Sequence, residues 1–198
     1  MARKSSHNLI WIDMEMTGLD IEREVIIEIA SLVTDRELNI LAEGPCLAIH
    51  QDNIYLDRMD EWNRTTHHAS GLVEKVKDSN ISLAEAEKQT LDFVKQYCPA
   101  QTSPLCGNTV YQDRKFLNKY MKDLHGFLHY RNIDVTSIKE LVLRWYPDGP
   151  RPPKKSDAHT ADIDIRESLE ELIFYRKHYF VTNGLSVLDS PSAKEEKQ

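Results

Sequence analysis

The stretch Leu9-Ile10-Trp11-Ile12-Asp13-Met14-Glu15-Met16 decides how this chain folds. Leu9 to Ile12 is an apolar run too short for a helix, so Asn8 to Glu15 reads as a buried strand. Residues two apart on a strand point the same way, with Cα atoms about 6.6 Å apart at a rise of ~3.3 Å per residue. Leu9, Trp11, Asp13 and Glu15 therefore share one face that begins apolar and ends in two carboxylates. Thr17-Gly18 then turns the chain. Val25 to Thr34 is rich in Ile and Val, has Glu28 as its only charge, and predicts a second strand. Leu38 to Ile49 predicts a third, with Gly44-Pro45 as a bulge or break. Three strands joined by short turns form an antiparallel meander.

Beyond the meander the pattern turns helical. One or two short helices are expected between Leu56 and Gly71. Ser82 to Cys98 predicts a helix: Ser82 and Glu85 make a capping box, Leu91, Val94 and Cys98 share a stripe, and Pro99 follows the end. Pro104 to Asn108 reads as a short strand entering a turn, and Asp113 to Leu124 as a helix. Asn132 to Val135 reads as a strand and Thr136 to Tyr146 as a helix. Pro147 to Lys155, with four prolines and one glycine, is a loop. Ala161 to Phe180 is a long helix with Ile165, Leu169, Leu172 and Ile173 on one stripe. The expected fold is therefore α/β, three layers around a mixed five-stranded sheet flanked by helices.

The 198 residues suit about one domain with a tail after Gly184. The charge is 25 − 32 = −7, which excludes a basic protein that coats long nucleic acid. A short nucleic acid held by a few contacts or by metals remains compatible with it. Cys46, Cys98 and Cys106 show no CxxC spacing, so reduced, buried thiols in an intracellular protein are expected. Met1 to Asn8 is polar, unlike a signal peptide, and no apolar run approaches ~18 residues, so no membrane span is expected.

Two like charges at the end of a buried strand repel, and burial worsens the repulsion. Asp13 and Glu15 either reach water there or hold a divalent cation, for which hard oxygen ligands suit magnesium or manganese. Asp113 sits at the first turn of the stripe formed by Phe116, Leu117, Tyr120, Met121 and Leu124. An inward carboxylate needs a reason, either the favourable helix N-terminus or a metal. Asp164 falls in the first turn of the last helix, and His159 lies on the loop before it. A histidine there has a pKa suited to a general base near neutrality. Four carboxylates at element ends and one histidine together suit two metals clamping a phosphodiester.

The run Trp11 to Asp20 (WIDMEMTGLD) resembles the first motif of the DEDDh 3′→5′ exonucleases, and of their oligoribonuclease branch in particular. Gly107-Asn108-Thr109 with Gln112-Asp113 and Lys115-Phe116-Leu117 is similar to the second motif. His159-Thr160-Ala161 with Asp164 to Ser168 is similar to the third. Leu41 to Pro45, His67 with Ser70 to Leu72, and His129 to Arg131 with Asp134-Val135 also match, in register over about residues 8 to 180. The resemblance implies an RNase H-like fold in one exonuclease domain over residues 1–180, with 181–198 as a flexible tail. It implies Asp13, Glu15, Asp113 and Asp164 as ligands of two Mg2+ or Mn2+ ions, and His159 as general base. It further implies a cytoplasmic homodimer that hydrolyses very short RNA oligonucleotides, down to dinucleotides, to 5′-mononucleotides. By motif position Leu19 wedges between the bases, and Trp62 and His67 line the pocket. Arg131, Thr109 and Thr136 hold the 5′-phosphate, and Tyr130 reaches the partner subunit's site. Two departures stand out. Asp162-Ile163 replaces the usual Leu or Met followed by Asp, adding a carboxylate near the site. Thr109 and Thr136 stand where Ser is usual.

Two rival readings differ in class. Asp13-Met14-Glu15-Met16-Thr17 echoes the DxDxT loop of haloacid-dehalogenase-type phosphatases, but Glu15 replaces the second Asp and leaves Asp113 and His159 idle. An RNA-binding module with a decayed site would have lost a ligand or the base, and all five positions remain.

Overall fold

The computed structural model describes residues 4–154, 156 and 160–180. Its centre is a five-stranded sheet in the order β3-β2-β1-β4-β5. The strands are β1 (Leu9–Met16), β2 (Ile26–Thr34), β3 (Ile40–Ala48), β4 (Leu105–Gly107) and β5 (Asn132–Asp134). β1, β2 and β3 pair antiparallel, while β4 and β5 run parallel to β1. The expected mixed sheet is present.

Period-2 alternation along β1 separates the two layers. Ile10, Ile12 and Met14 face α4 (Leu83–Tyr97), α5 (Tyr111–Tyr120) and α6 (Lys122–Phe127). Trp11 faces α7 (Val135–Trp145) and α8 (Ala161–Tyr179), packing with Ala30, Leu32, Ile165 and Leu169. Each such large side chain stabilises the fold by roughly 1.5–3 kcal/mol relative to exposure. Every residue of β2 is buried, which explains its nearly unbroken apolar sequence.

The sequence expectations need four corrections. The short helix expected between Leu56 and Gly71 is α2 (Glu61–Ala69), but α1 (Asn53–Leu56) and α3 (Leu72–Asp78), which were not expected, flank it. Asp60 starts α2 by accepting from Asn63 N at 2.8 Å, and Gly71, at φ +72°, separates α2 from α3. The expected helix from Asp113 to Leu124 is broken at Met121 (φ −132°, ψ 66°), although Leu124 stays buried on α6. Ile173 is exposed, and after Leu172 the buried stripe of α8 continues through Tyr175 instead. Cys98 and Cys106 are buried as expected, but Cys46 is exposed.

Gly44-Pro45 forms the expected bulge. Ala30 pairs with Cys46 and Leu32 with Glu43, so Gly44 and Pro45 together lie opposite Ser31. A Cβ at Gly44 would come within 2.3 Å of Ser31 Oγ and 2.4 Å of Phe93, so no larger residue fits. Among the described residues no helix is long and apolar enough to cross a membrane. Lys155, His159 and the tail after Phe180 lie outside the described residues.

Candidate active site

Three elements bring four carboxylates together at the C-terminal end of β1. Asp13 and Glu15 come from β1 itself and Asp164 from the first turn of α8. One carboxylate oxygen from each lies within 4.8 Å of the others. Asp113, buried in the first turn of α5, closes the group from behind by accepting from Met14 N at 3.2 Å. The alternation that separates Trp11 from Ile12 thus also aims Asp13 and Glu15 toward α8. His159 is the one site residue of the sequence reading that lies outside the described residues.

Glu28 is a fifth carboxylate, which the sequence reading noticed but gave no role. It pairs directly with Glu15 across β1 and β2 and is 2% exposed. Its Oε2 accepts from Ala161 N, the first residue of α8, at 2.9 Å. The signal was there to use: a lone charge in a wholly buried strand requires a partner.

The cluster is electrostatically uncomfortable. Burial, reinforced by the charges of Asp164, Glu28 and Asp113, pushes the Glu15 carboxyl up to about 8. Burial also raises Asp113, against the pull of the Met14 N–H, and raises Glu28, against that of Ala161. Divalent cations would reverse these shifts, and the donors available are all hard carboxylate oxygens. This chemistry fits a hard divalent cation. The extra carboxylate of Asp162 is exposed and lies beside Cys46, Glu28 and Arg166, on the β3 side. Arg166 itself pairs with Glu43 at 2.7 Å.

A second group gathers beside the first. β5 runs directly into α7, and Asp134 caps that helix by accepting from Thr136 N at 2.9 Å. Thr109, in the turn after β4, lies against it: the two threonine hydroxyls are 3.1 Å apart. Tyr130 and Arg131 are exposed on the turn between α6 and β5, with the guanidinium 5.2 Å from the ring centroid. Arg114, which the sequence reading passed over, braces that turn by donating to His129 O and Asn132 Oδ1. Leu19 is 71% exposed in the β1–β2 connection, where its carbonyl accepts from Gln112 Nε2 at 2.8 Å. Trp62 and His67 share α2 but differ in exposure. Trp62 is 61% exposed, whereas His67 is buried with its Nε2 3.1 Å from Met16 O. His67 thus sits behind the end of β1.

The profile of the RNase_T exonuclease family matches residues 10–172. An oligoribonuclease of Aeromonas hydrophila is 57% identical over 176 residues, covering 89% of this chain and 97% of that one. An oligoribonuclease of Legionella pneumophila strain Corby is 50% identical over 194 residues, covering 98% and 100%. This chain belongs to the oligoribonuclease family. It is a hydrolytic exoribonuclease by that membership. Solved structures of exonuclease I share its RNase H-like fold. One, of the Escherichia coli enzyme with a dT13 oligonucleotide, has a TM-score of 0.64 at 13% identity. The likeness covers 86% of this chain but only 41% of that one. Fold and family therefore agree with the resemblance carried by the three acidic motifs.

Proposed function

We propose that this oligoribonuclease-family chain is a metal-dependent 3′→5′ exonuclease that trims RNAs of a few residues, down to dinucleotides, to 5′-mononucleotides. The observation that carries the reading is the convergence of Asp13, Glu15 and Asp164 within 4.8 Å, with Asp113 behind them. Asp13, Glu15, Asp113 and Asp164 would hold two Mg2+ or Mn2+ ions. Held by these carboxylates, such ions would supply Lewis-acid activation of a water and charge stabilisation at the leaving oxygen. His159, which precedes α8 in the sequence, takes the proton of the attacking water at a ring nitrogen.

The remaining residues select the substrate. Leu19 separates the bases, and Trp62 and His67 line the pocket, Trp62 as an exposed aromatic wall and His67 from its buried place behind the end of β1. The Arg131 fork grips a 5′-phosphate bidentately, with the Thr109 hydroxyl as a further donor and Thr136 holding Thr109 in place. A cap on that side excludes long strands, which agrees with a net charge of −7 and no need for a basic groove. We read the active species as a cytoplasmic homodimer in which Tyr130 reaches the partner's site. Leu141 and Trp145, 43% and 66% exposed on α7, give that pairing an apolar face.

A length series tests the reading. 5′-labelled RNAs of two to about twenty nucleotides are incubated with magnesium or manganese, against a chelator control. Fast, chelator-sensitive cleavage of the dinucleotide that falls steeply with length is expected. Equal processing of long strands discards the cap, and no cleavage at any length discards the activity.

A further inference from the structure

Thr109 holds a backbone conformation that its residue type resists. Its φ is +51°, in the left-handed region where a β-branched side chain is crowded. Two acceptors keep its N–H there, Asp134 Oδ1 at 3.0 Å and Thr136 Oγ1 at 2.9 Å. Behind Thr136 runs a chain of hydrogen bonds into α8. Thr136 Oγ1 donates to Asn108 Oδ1 at 3.0 Å. Asn108 Nδ2 donates to Ser168 Oγ at 2.8 Å and to Glu171 Oε2 at 3.1 Å. Glu171 is 4% exposed, accepts from the Tyr175 hydroxyl at 2.9 Å, and lies 3.7 Å from Lys139 Nζ.

The chemistry of the groups gives this chain a direction. Glu171 accepts, so it draws the amide nitrogen of Asn108 toward α8 and turns the amide oxygen toward Thr136. An amide oxygen only accepts, so the single proton of the Thr136 hydroxyl is committed to Asn108. The lone pairs of Thr136 Oγ1 are left for Thr109. The Thr109 hydroxyl is then the one that can turn its proton to an incoming phosphate oxygen. We infer that Asn108 and Glu171 are positioning residues for the 5′-phosphate: through Thr136 they fix the strained Thr109 turn and the direction of its hydrogen bonds. This inference rests on the reading of Thr109 and Arg131 as the phosphate pocket. Ser168 Oγ keeps its own bond to Asp164 O, 2.8 Å within α8, whether or not Asn108 is present. The carboxylate cluster is therefore not expected to move with Asn108.

The test compares an RNA dinucleotide bearing a 5′-phosphate with the same dinucleotide bearing a 5′-hydroxyl, at saturating magnesium. KM and kcat are measured for the unmodified protein, Asn108→Ala, Glu171→Gln and Arg131→Ala. Asn108→Ala should raise KM for the phosphorylated dinucleotide about tenfold, the scale of one misaligned charge-assisted hydrogen bond. KM for the hydroxyl form should move less than about twofold, and kcat should hold for both. Glu171→Gln keeps the shape but frees the amide to flip, so a change of about threefold in the same direction is expected. Equal effects on both substrates, or none, in Asn108→Ala and Glu171→Gln overturn the inference. If Arg131→Ala discriminates while they do not, the pocket stands and the positioning role falls. If Arg131→Ala does not discriminate either, pocket and inference fall together. Should Asn108→Ala lose its cooperative thermal unfolding, Glu171→Gln alone decides.

Discussion

The carboxylate cluster and the Thr109 turn sit side by side but are built on opposite principles. Asp13, Glu15, Asp113, Asp164 and Glu28 bring like charges together under burial, and Glu15 is driven to about 8 as a result. The Thr109 turn answers its demands from within the protein, since Asp134, Thr136, Asn108 and Glu171 form a directed chain of donors and acceptors. One region stores repulsion that a cation would relieve, and the other stores backbone strain that neighbours hold in place. The first is therefore expected to respond to metal and pH, the second to side-chain chemistry.

The largest expected effect comes from breaking the first region. Asp113→Asn should lower turnover about a thousandfold or more, because several kcal/mol of charge stabilisation depend on the metals. Circular dichroism should show an intact fold, and near-normal turnover would sink the ligand assignment. Arg131→Ala is next: cleavage of 5′-phosphorylated dinucleotides should weaken about ten- to a hundredfold, the worth of a bond to a charged group. Equal loss with a 5′-hydroxyl substrate would remove Arg131 from the pocket.

Stability against pH sharpens the contrast further. Glu15 binds its proton more tightly folded than unfolded, since its folded value is about 8 against an ordinary 4.5. Between those values the folded chain carries the extra proton, so stability should fall as pH rises through the window. Thermal melts in chelator from pH 5 to 8 should show this decline, and added magnesium should flatten it. A metal-free profile that rises with pH contradicts the account. The smallest expected change is Thr109→Gly, which releases roughly 1–2 kcal/mol of left-handed strain. It also loses a hydroxyl bond worth about 1 kcal/mol. The melting temperature should hold or rise slightly while preference for the 5′-phosphate drops.

How much was legible depended on how local the cause was. The split between Ile10, Ile12 and Met14 on one face and Trp11, Asp13 and Glu15 on the other follows from strand geometry alone. Asp113 stood out because it interrupts an apolar stripe. Glu28 was visible as a lone charge, but its use required knowing that β2 delivers it to the start of α8. Asn108 and Glu171 are 63 residues apart, and nothing short of docking α8 on the sheet makes them neighbours. The helix break at Met121 was missed for a different reason. Leu117 and Leu124, on either side of it, both stay buried, so the periodic signal runs straight through the break.

The bulge on β3 bears on whether another strand can join the sheet. β3 and β5 are the two edges of the sheet. The doubled residues at Gly44-Pro45 kink the first edge, and proline withholds a backbone donor there. The second edge is only three residues long. Neither rim offers a straight run of unpaired backbone for a foreign strand to join. Among the described residues both edges therefore disfavour sheet extension, which leaves side-chain surfaces such as α7 for any contact between copies.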